Sequence, residues 1–237
     1  MEIVLIRHAQ PEWEPGGRAV DDPGLTPLGR EQAKRTAELL ADQRFDAFYA
    51  SPLRRVAETA QPIADAIGRA PQVQSWLREL TLPSMEGYTA EQVQAFFREA
   101  NARHLDAWWD GMPGGESFRH FYERVSGGLE ALLQHGHRLG IHEISGHRLW
   151  QLPESLERVL IVAHEGTNAV LLSHLLGIEP VPFAWVRFST AWAGVCTVQT
   201  LKVANGAVWS LESFNQTSHL APLRAHPDWR RDGRTGS

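Results

Sequence analysis

Three short apolar runs along the chain each end on polar or charged residues. They cover residues 3–6, 45–50 and 159–163, and each precedes a stretch with the residue spacing of an amphipathic helix. Short buried strands that alternate with helices are typical of a parallel sheet covered on both faces. The pattern therefore predicts an α/β fold with three layers in the order helix, sheet, helix, and a mostly parallel central sheet.

Local signals add helix starts and one hairpin to this pattern. Thr26 followed by Pro27 is typical of an N-cap and the first residue of a helix. Thr89 and Gln92 have the spacing of a capping box, which predicts a long helical stretch up to the glycine-rich break at residues 111–115. Near the end of the chain, two apolar runs flank Asn205-Gly206, which predicts a late antiparallel hairpin at the edge of the sheet.

The chain of 237 residues is long enough for one large α/β domain. We assign residues 1–220 to that single domain. Residues 83–115 form a helical insertion, and residues 135–157 form a histidine-rich insertion. The segment 221–237 is rich in Arg, Pro, Asp and Gly, which predicts a flexible tail.

Two arginines and two histidines lie at or just beyond the ends of the apolar runs. Arg7 and His8 follow the first run directly. Arg55 comes shortly after the second run, and His164 follows the third. Ligands of open α/β sheets bind beyond the carboxyl ends of the strands, so we expect these four side chains to converge. Two guanidinium groups and two imidazoles suit a dianion, and the expected ligand is a phosphoryl group.

Several segments also read like the motifs of a known family. Residues 7–10 read RHAQ, residues 51–60 read SPLRRVAETA and residues 164–166 read HEG. Further matching segments are LTPLGREQA at 25–33, WLREL at 76–80, MEG at 85–87 and PGGES at 113–117. In this order they resemble the histidine phosphatase superfamily, also called the phosphoglycerate mutase-like family. The resemblance extends over about residues 3–220.

This resemblance implies a phosphoric monoester hydrolase that acts through a phosphohistidine and needs no metal ion or other cofactor. His8 would attack phosphorus, Arg7, Arg55 and a protonated His164 would hold the phosphoryl oxygens, and Glu79 would protonate the leaving group. Another acid, such as Glu86, could replace Glu79 in that role. The resemblance also implies that the helical insertion lies over the active site. Second-rank candidates for substrate contact are Gln10, Glu116, Glu165 and the backbone N–H of Gly166.

The chain departs from the family pattern at four positions of these motifs. Ala9 stands for the usual glycine, Gln10 for the usual acid and Pro11 for a common hydroxyl residue. Glu165 replaces the first glycine after the second histidine, which adds a carboxylate beside the site. We expect catalysis to survive these changes and the substrate preference to shift.

Composition excludes some alternative functions. The net charge of −5 provides no basic surface for nucleic acid. No apolar stretch reaches the ~20 residues that span a membrane. Residues 1–2 lead directly into the first strand, without room for a targeting segment, and Cys196 is the single cysteine. We therefore expect a cytoplasmic protein, for which the sequence leaves a homodimer open.

The histidine-rich insertion invites a second hypothesis, a metal site. Its histidines lie at positions 135, 137, 142 and 147. Histidine clusters bind metal when further ligands fix the geometry, but no cysteine or acid supports such a geometry here. An exposed insertion or hairpin is therefore the preferred interpretation.

Three functions remain open at this point. The preferred one is a phosphatase that acts on a small phosphorylated metabolite, because Pro11 and Glu165 depart from the mutase-like pattern. The second is a mutase that returns the phosphoryl group from His8 to another oxygen of its substrate. The third is a non-catalytic module that binds phosphate. A binding module has no need of a nucleophile, so His8 favours an enzyme.

Overall fold

The sheet contains eight strands in the part of the chain that the computed structural model describes, residues 1–144 and 146–226. The strands are Glu2–Arg7 (β1), Ala47–Ala50 (β2), Gln72–Val73 (β3), Gly140–Ile144 (β4), His147–Gln151 (β5), Arg158–Ala163 (β6), Val195–Val203 (β7) and Gly206–Gln216 (β8). The α-helices are Pro27–Leu40 (α1), Arg54–Ile67 (α2), Ala90–Ala102 (α3), Phe118–Ala131 (α4), Glu165–Leu175 (α5) and Ala184–Arg187 (α6).

The strand order is β3-β2-β6-β1-β7-β8-β5-β4, and the sheet divides at β1. Strands β1, β2, β3 and β6 are parallel to one another, whereas β7, β8, β5 and β4 join by antiparallel pairing. The predicted α/β class is confirmed, with the parallel pairing confined to the half of the sheet that carries the apolar runs of the sequence.

The predicted late hairpin is present as β7 and β8, but its edge position is wrong. Strand β8 pairs with β5 through Ala207 and Trp150, so the hairpin β4–β5 of the histidine-rich insertion occupies the edge. The turn is also shifted by one residue, since Val203 pairs with Gly206. A Cβ on Gly206 would lie 3.0 Å from the Cβ of Leu149, so this glycine serves the close approach of β5.

Strand β1 shows why helices cover both faces of the sheet. Ile3 and Leu5 belong to a core that includes residues of α4 and α5, whereas Val4 and Ile6 belong to a second core with residues of α1 and α2. Successive side chains of a strand point to opposite faces, so a continuous apolar run requires cover on both. The predicted three layers are therefore confirmed.

The helix starts agree with their sequence signals, but one predicted helix is shorter. Thr26 caps α1 by accepting a hydrogen bond from the Gly29 N–H at 2.9 Å, and Thr89 forms the expected capping box of α3. Helix α3 ends at Ala102, and only a short 3-10 turn follows. Arg103 donates to the carbonyl of Ala107 at 3.0 Å, which folds the chain back after the helix.

The histidine-rich segment forms the predicted hairpin, and two of its histidines have separate partners. The buried His137 contacts Glu157 through Nδ1 and the hydroxyl of Tyr49 through Nε2. His142 contacts Gln151 on the facing strand at 2.9 Å. The contact with Tyr49 joins the insertion to β2, whereas the other two lie within the insertion.

The first residues of the predicted tail belong to a regular element. A 3-10 segment covers Ser218–Leu223, where Leu220 is buried and Leu223 packs against the same small core. The remainder of the predicted tail, residues 227–237, lies outside the described residues. No helix within residues 1–144 and 146–226 has the length and apolar character to cross a membrane.

Candidate active site

The predicted site lies at the carboxyl ends of the parallel strands β1, β2 and β6. Arg7 at the end of β1 is in register with Ala163 at the end of β6, so His8 and His164 leave the sheet side by side. The His8 N–H donates to the Ala163 carbonyl at 2.9 Å, and the two imidazole centroids lie 5.2 Å apart. Parallel pairing thus brings two distant segments into one site.

His8 has the geometry of a nucleophile. Its Nδ1 lies 2.8 Å from the carbonyl oxygen of Ala9, which can only accept, so Nδ1 carries the hydrogen. The lone pair is then on Nε2. Burial holds the pKa of His8 well below its usual value, with further lowering by Arg55 and Arg7. The imidazole is therefore neutral at physiological pH and able to attack.

His164 is completely buried. Burial holds its pKa well below the usual value, and Arg55, His8 and Arg7 lower it further. In the protein by itself, burial thus disfavours the protonated form that the resemblance implies for His164. Its Nε2 lies 2.8 Å from the hydroxyl of Ser51, and in the described part of the chain Nδ1 has no hydrogen-bond partner. With Nε2 accepting from Ser51, Nδ1 carries a hydrogen that can be donated to a phosphoryl oxygen.

Arg55 lies in the first turn of α2 and is 4% exposed. The Asp22 carboxylate lies 3.6 Å from Nη1, and the indole of Trp13 lies 5.0 Å from the guanidinium carbon. Burial lowers the pKa of Arg55 from its usual value, while Glu79 and Asp22 oppose that effect. Among the described residues nothing accepts a hydrogen bond from Nε or Nη1, so two donors remain for an anion.

Arg7 has a different environment on the opposite side of the site. Its Nη1 lies 3.3 Å from the Glu165 carboxylate and donates to the Thr190 carbonyl. Glu165 also accepts a hydrogen bond from the Thr190 N–H at 3.1 Å. The carboxylate that departs from the family pattern therefore faces Arg7 and joins the start of α5 to the loop before β7.

Glu79 lies at the N-terminus of α5, next to His164. Its carboxylate accepts hydrogen bonds from the Gly166 N–H at 2.8 Å and the Leu80 N–H at 3.0 Å. A Cβ on Gly166 would lie 2.5 Å from Glu79 Oε1, so only glycine permits this approach. The Arg124 guanidinium donates a hydrogen bond to the carbonyl of Arg78 at 3.1 Å and so holds the residue that precedes Glu79.

The second-rank candidates for substrate contact make hydrogen bonds to other residues of the protein. Gln10 Oε1 accepts a hydrogen bond from the Thr26 hydroxyl at 2.8 Å. Glu116 receives two hydrogen bonds from Arg124, at 2.9 and 2.8 Å, and the Gly166 N–H is bound to Glu79. The structure places these groups in contacts within the protein, and their contact with substrate stays a prediction.

Sequence reasoning missed several neighbours of the site. Ser51 could have been found, because it opens the motif that contains Arg55. Asp22, Trp13 and Thr190 carried no comparable signal, since a loop residue shows its distant partners only after the chain has folded.

The geometry agrees with the comparisons with known proteins. The model of the histidine phosphatase superfamily (branch 1) matches residues 3–217. The chain therefore belongs to this superfamily, and the family predicted from its motifs is confirmed.

Individual relatives are named as phosphatases. A glucosyl-3-phosphoglycerate phosphatase of Mycolicibacterium vanbaalenii is 34% identical over 92% of this chain and 96% of its own length. Phosphoserine phosphatase 1 of Hydrogenobacter thermophilus is 29% identical over 76% of this chain and 78% of its own. The solved structure of a mycobacterial glucosyl-3-phosphoglycerate phosphatase with VO3 superposes with a TM-score of 0.69 at 26% identity, covering 91% of this chain and 99% of that one.

Proposed function

We propose that this chain is a phosphatase that hydrolyses small phosphomonoesters through a phosphohistidine on His8, without a metal ion. The observation that carries the proposal is a neutral imidazole with its lone pair on Nε2, beside the buried donors of Arg55 and His164. A nucleophile next to donors that have no protein acceptor fits the transfer of a phosphoryl group.

In the first half of the reaction, Nε2 of His8 forms a bond to phosphorus while the bond from phosphorus to the leaving oxygen breaks. Arg7, Arg55 and the Nδ1–H of His164 hold the non-bridging oxygens. The leaving alkoxide takes a proton from the carboxylic acid form of Glu79.

In the second half, the Glu79 carboxylate takes a proton from water as that water attacks the phosphohistidine. The bond between phosphorus and Nε2 breaks, inorganic phosphate leaves and His8 regains its lone pair. Glu79 is acidic again, so the cycle is closed. Its position beside Gly166 and His164 supports this double role.

The names of these relatives support a small phosphorylated metabolite as substrate. Phosphoserine and glucosyl-3-phosphoglycerate, named for two of them, are both small phosphate esters. We also place the enzyme in the cytoplasm, and the buried free thiol of Cys196 is consistent with a reducing compartment.

The test is the release of inorganic phosphate from p-nitrophenyl phosphate and a panel of metabolite phosphates in the presence of EDTA. The wild type should be active and His8→Ala inactive, while the exposed His147→Ala serves as the matched control and keeps full activity. Wild-type enzyme quenched during turnover should carry acid-labile phosphate on histidine. Activity that requires added metal, or that survives in His8→Ala, would refute the mechanism.

Two outcomes would each select a different function. A stable phosphoenzyme that releases no phosphate but interconverts phosphoglycerate isomers would identify a mutase. A folded protein that binds phosphate and never becomes labelled would identify a binding module.

A further inference from the structure

A large aromatic side chain stands exposed beside the site. Trp13 is 45% exposed, whereas Trp150, Trp192 and Trp209 are each at most 6% exposed. The Trp13 ring centre lies 5.0 Å from the Arg55 guanidinium carbon, and Arg55 itself is buried. The indole therefore stands between the proposed phosphate-binding arginine and solvent.

The loop that carries Trp13 is fixed by several hydrogen bonds. The Val20 N–H donates to the Trp13 carbonyl at 3.0 Å, and Ala19 forms backbone hydrogen bonds with Tyr88 and Gly87 of the helical insertion at 2.9 and 2.8 Å. An exposed indole on a fixed loop is characteristic of recognition surfaces, because a rigid aromatic group loses little entropy when it binds a ligand.

A second set of contacts holds the next residues of the loop. The Asp21 carboxylate accepts from the Ser84 hydroxyl at 2.6 Å and from the Met85 N–H at 3.0 Å, and Asp22 accepts from the Arg54 N–H at 3.0 Å. Residues 13–22 are therefore held against both the insertion and the start of α2. Trp13 keeps a defined position relative to Arg55.

The charges around Trp13 indicate what kind of group it would bind. Exposed Glu12 and Glu14 flank it in sequence, and Asp21 and Asp22 follow on the same loop. The one basic residue of residues 12–22, Arg18, donates to the Gly87 carbonyl at 3.2 Å. An acidic rim repels anionic groups and accepts hydrogen bonds from hydroxyl groups, while the indole face packs against the C–H face of a ring.

We propose that Trp13 forms a leaving-group subsite for a neutral sugar ring whose phosphate is held by Arg55. The inference rests on the proposed phosphatase function and adds a substrate class to it, the phosphate esters of uncharged sugars. Trp13 would contact the sugar directly, and the flanking glutamates would accept its hydroxyl hydrogens.

The kinetic test compares glucose 1-phosphate with ethyl phosphate, which has no ring. Trp13→Ala should lower kcat/KM for glucose 1-phosphate about tenfold more than for ethyl phosphate, a difference of about 1.4 kcal/mol, because only the sugar ester has a ring to pack on the indole. Trp13→Phe should restore most of the difference. Leu201→Ala, an exposed apolar residue on β7, is the matched control and should change neither value. Equal losses for both esters would overturn the subsite and leave Trp13 as a support for Arg55.

A binding measurement separates this inference from the proposed reaction. In His8→Ala, calorimetry should show glucose 1-phosphate binding more tightly than ethyl phosphate, and Trp13→Ala should abolish that difference. Cyclohexyl phosphate, a ring without hydroxyl groups, tests the glutamates and should bind more weakly than the sugar ester. An equal affinity for all three esters would refute the subsite, even if the wild type proves to be a phosphatase.

Discussion

The two arginines of the site have opposite environments. On one side, Arg7 faces the Glu165 carboxylate at 3.3 Å and donates to the Thr190 carbonyl. On the other side, Arg55 is equally buried, yet its Nε and Nη1 have no hydrogen-bond acceptor within residues 1–144 and 146–226. The Asp22 carboxylate lies 3.6 Å from Nη1 of Arg55, and its side chain is half-exposed.

This difference indicates that the two sides contribute to different properties. A buried cation that already faces a carboxylate stabilises the fold, and removing one member of such a pair is costly. A buried cation with open donors contributes little to stability but binds a developing negative charge strongly. We therefore expect Arg7 to affect both stability and activity, and Arg55 to affect mainly activity.

The largest effect expected is the loss of activity on the Arg55 side. Arg55→Ala should lower kcat/KM for phosphomonoesters by about a thousandfold, the effect of removing a preorganised donor, while the thermal midpoint stays the same or rises. Arg54→Ala removes a neighbouring arginine that is 65% exposed and should leave the rate within about twofold. Steady-state kinetics and calorimetry of both variants test this. A marked fall in the midpoint of Arg55→Ala would contradict the comparison.

Substitution of Arg7 should reduce the stability of the fold. Arg7→Met should lower the free energy of unfolding by about 3 kcal/mol, because it takes away the guanidinium that faces the buried Glu165 carboxylate. Urea denaturation measures this value. The double variant with Glu165→Gln should regain most of the lost stability while remaining poorly active. If the second change brings no recovery, the ion pair is not what stabilises this side.

The pH dependence of stability tests the neutral histidines shared by both sides. Burial lowers the pKa of His8 and His164, so below pH 6.5 the unfolded chain takes up protons that the folded chain does not. The free energy of unfolding should therefore decrease as pH falls from 6.5, by about 1.4 kcal/mol per pH unit for each histidine until its folded pKa is reached. His164→Gln should show a shallower decrease in denaturation series between pH 5 and 7. An unchanged slope would rule out a role for His164 in this dependence.

The smallest effect expected is a change in phosphate affinity. Glu165→Gln removes a negative charge next to Arg7 while preserving the shape of the side chain. Inorganic phosphate should inhibit this variant more strongly, with an inhibition constant about threefold to tenfold lower. The inhibition constant of inorganic phosphate, measured in competition with p-nitrophenyl phosphate, tests this expectation. Weaker inhibition would mean that Glu165 serves phosphate binding by orienting Arg7.

Much of this architecture could be predicted from local sequence signals. The apolar runs predicted strands covered on both faces, and the structure confirms them. Thr26 and Thr89 predicted the helix starts correctly, because capping depends on residues only three positions apart. The edge position of the late hairpin was wrong, because the order of β8 and β5 depends on contacts between distant segments.

The features of the functional site also separate into those that the local sequence determines and those that only the folded chain shows. The sequence by itself determined the family and the position of Arg7, His8, Arg55 and His164 at or shortly after the strand ends, and it supports the proposal of a phosphate site, since these features depend on residue types and their spacing. Only the tertiary structure decided that His164 is completely buried, that Glu165 faces Arg7 and that Trp13 lies over Arg55. Burial, ion pairing and the desolvation of charge arise from distances between remote residues, and these exist only once the chain has folded.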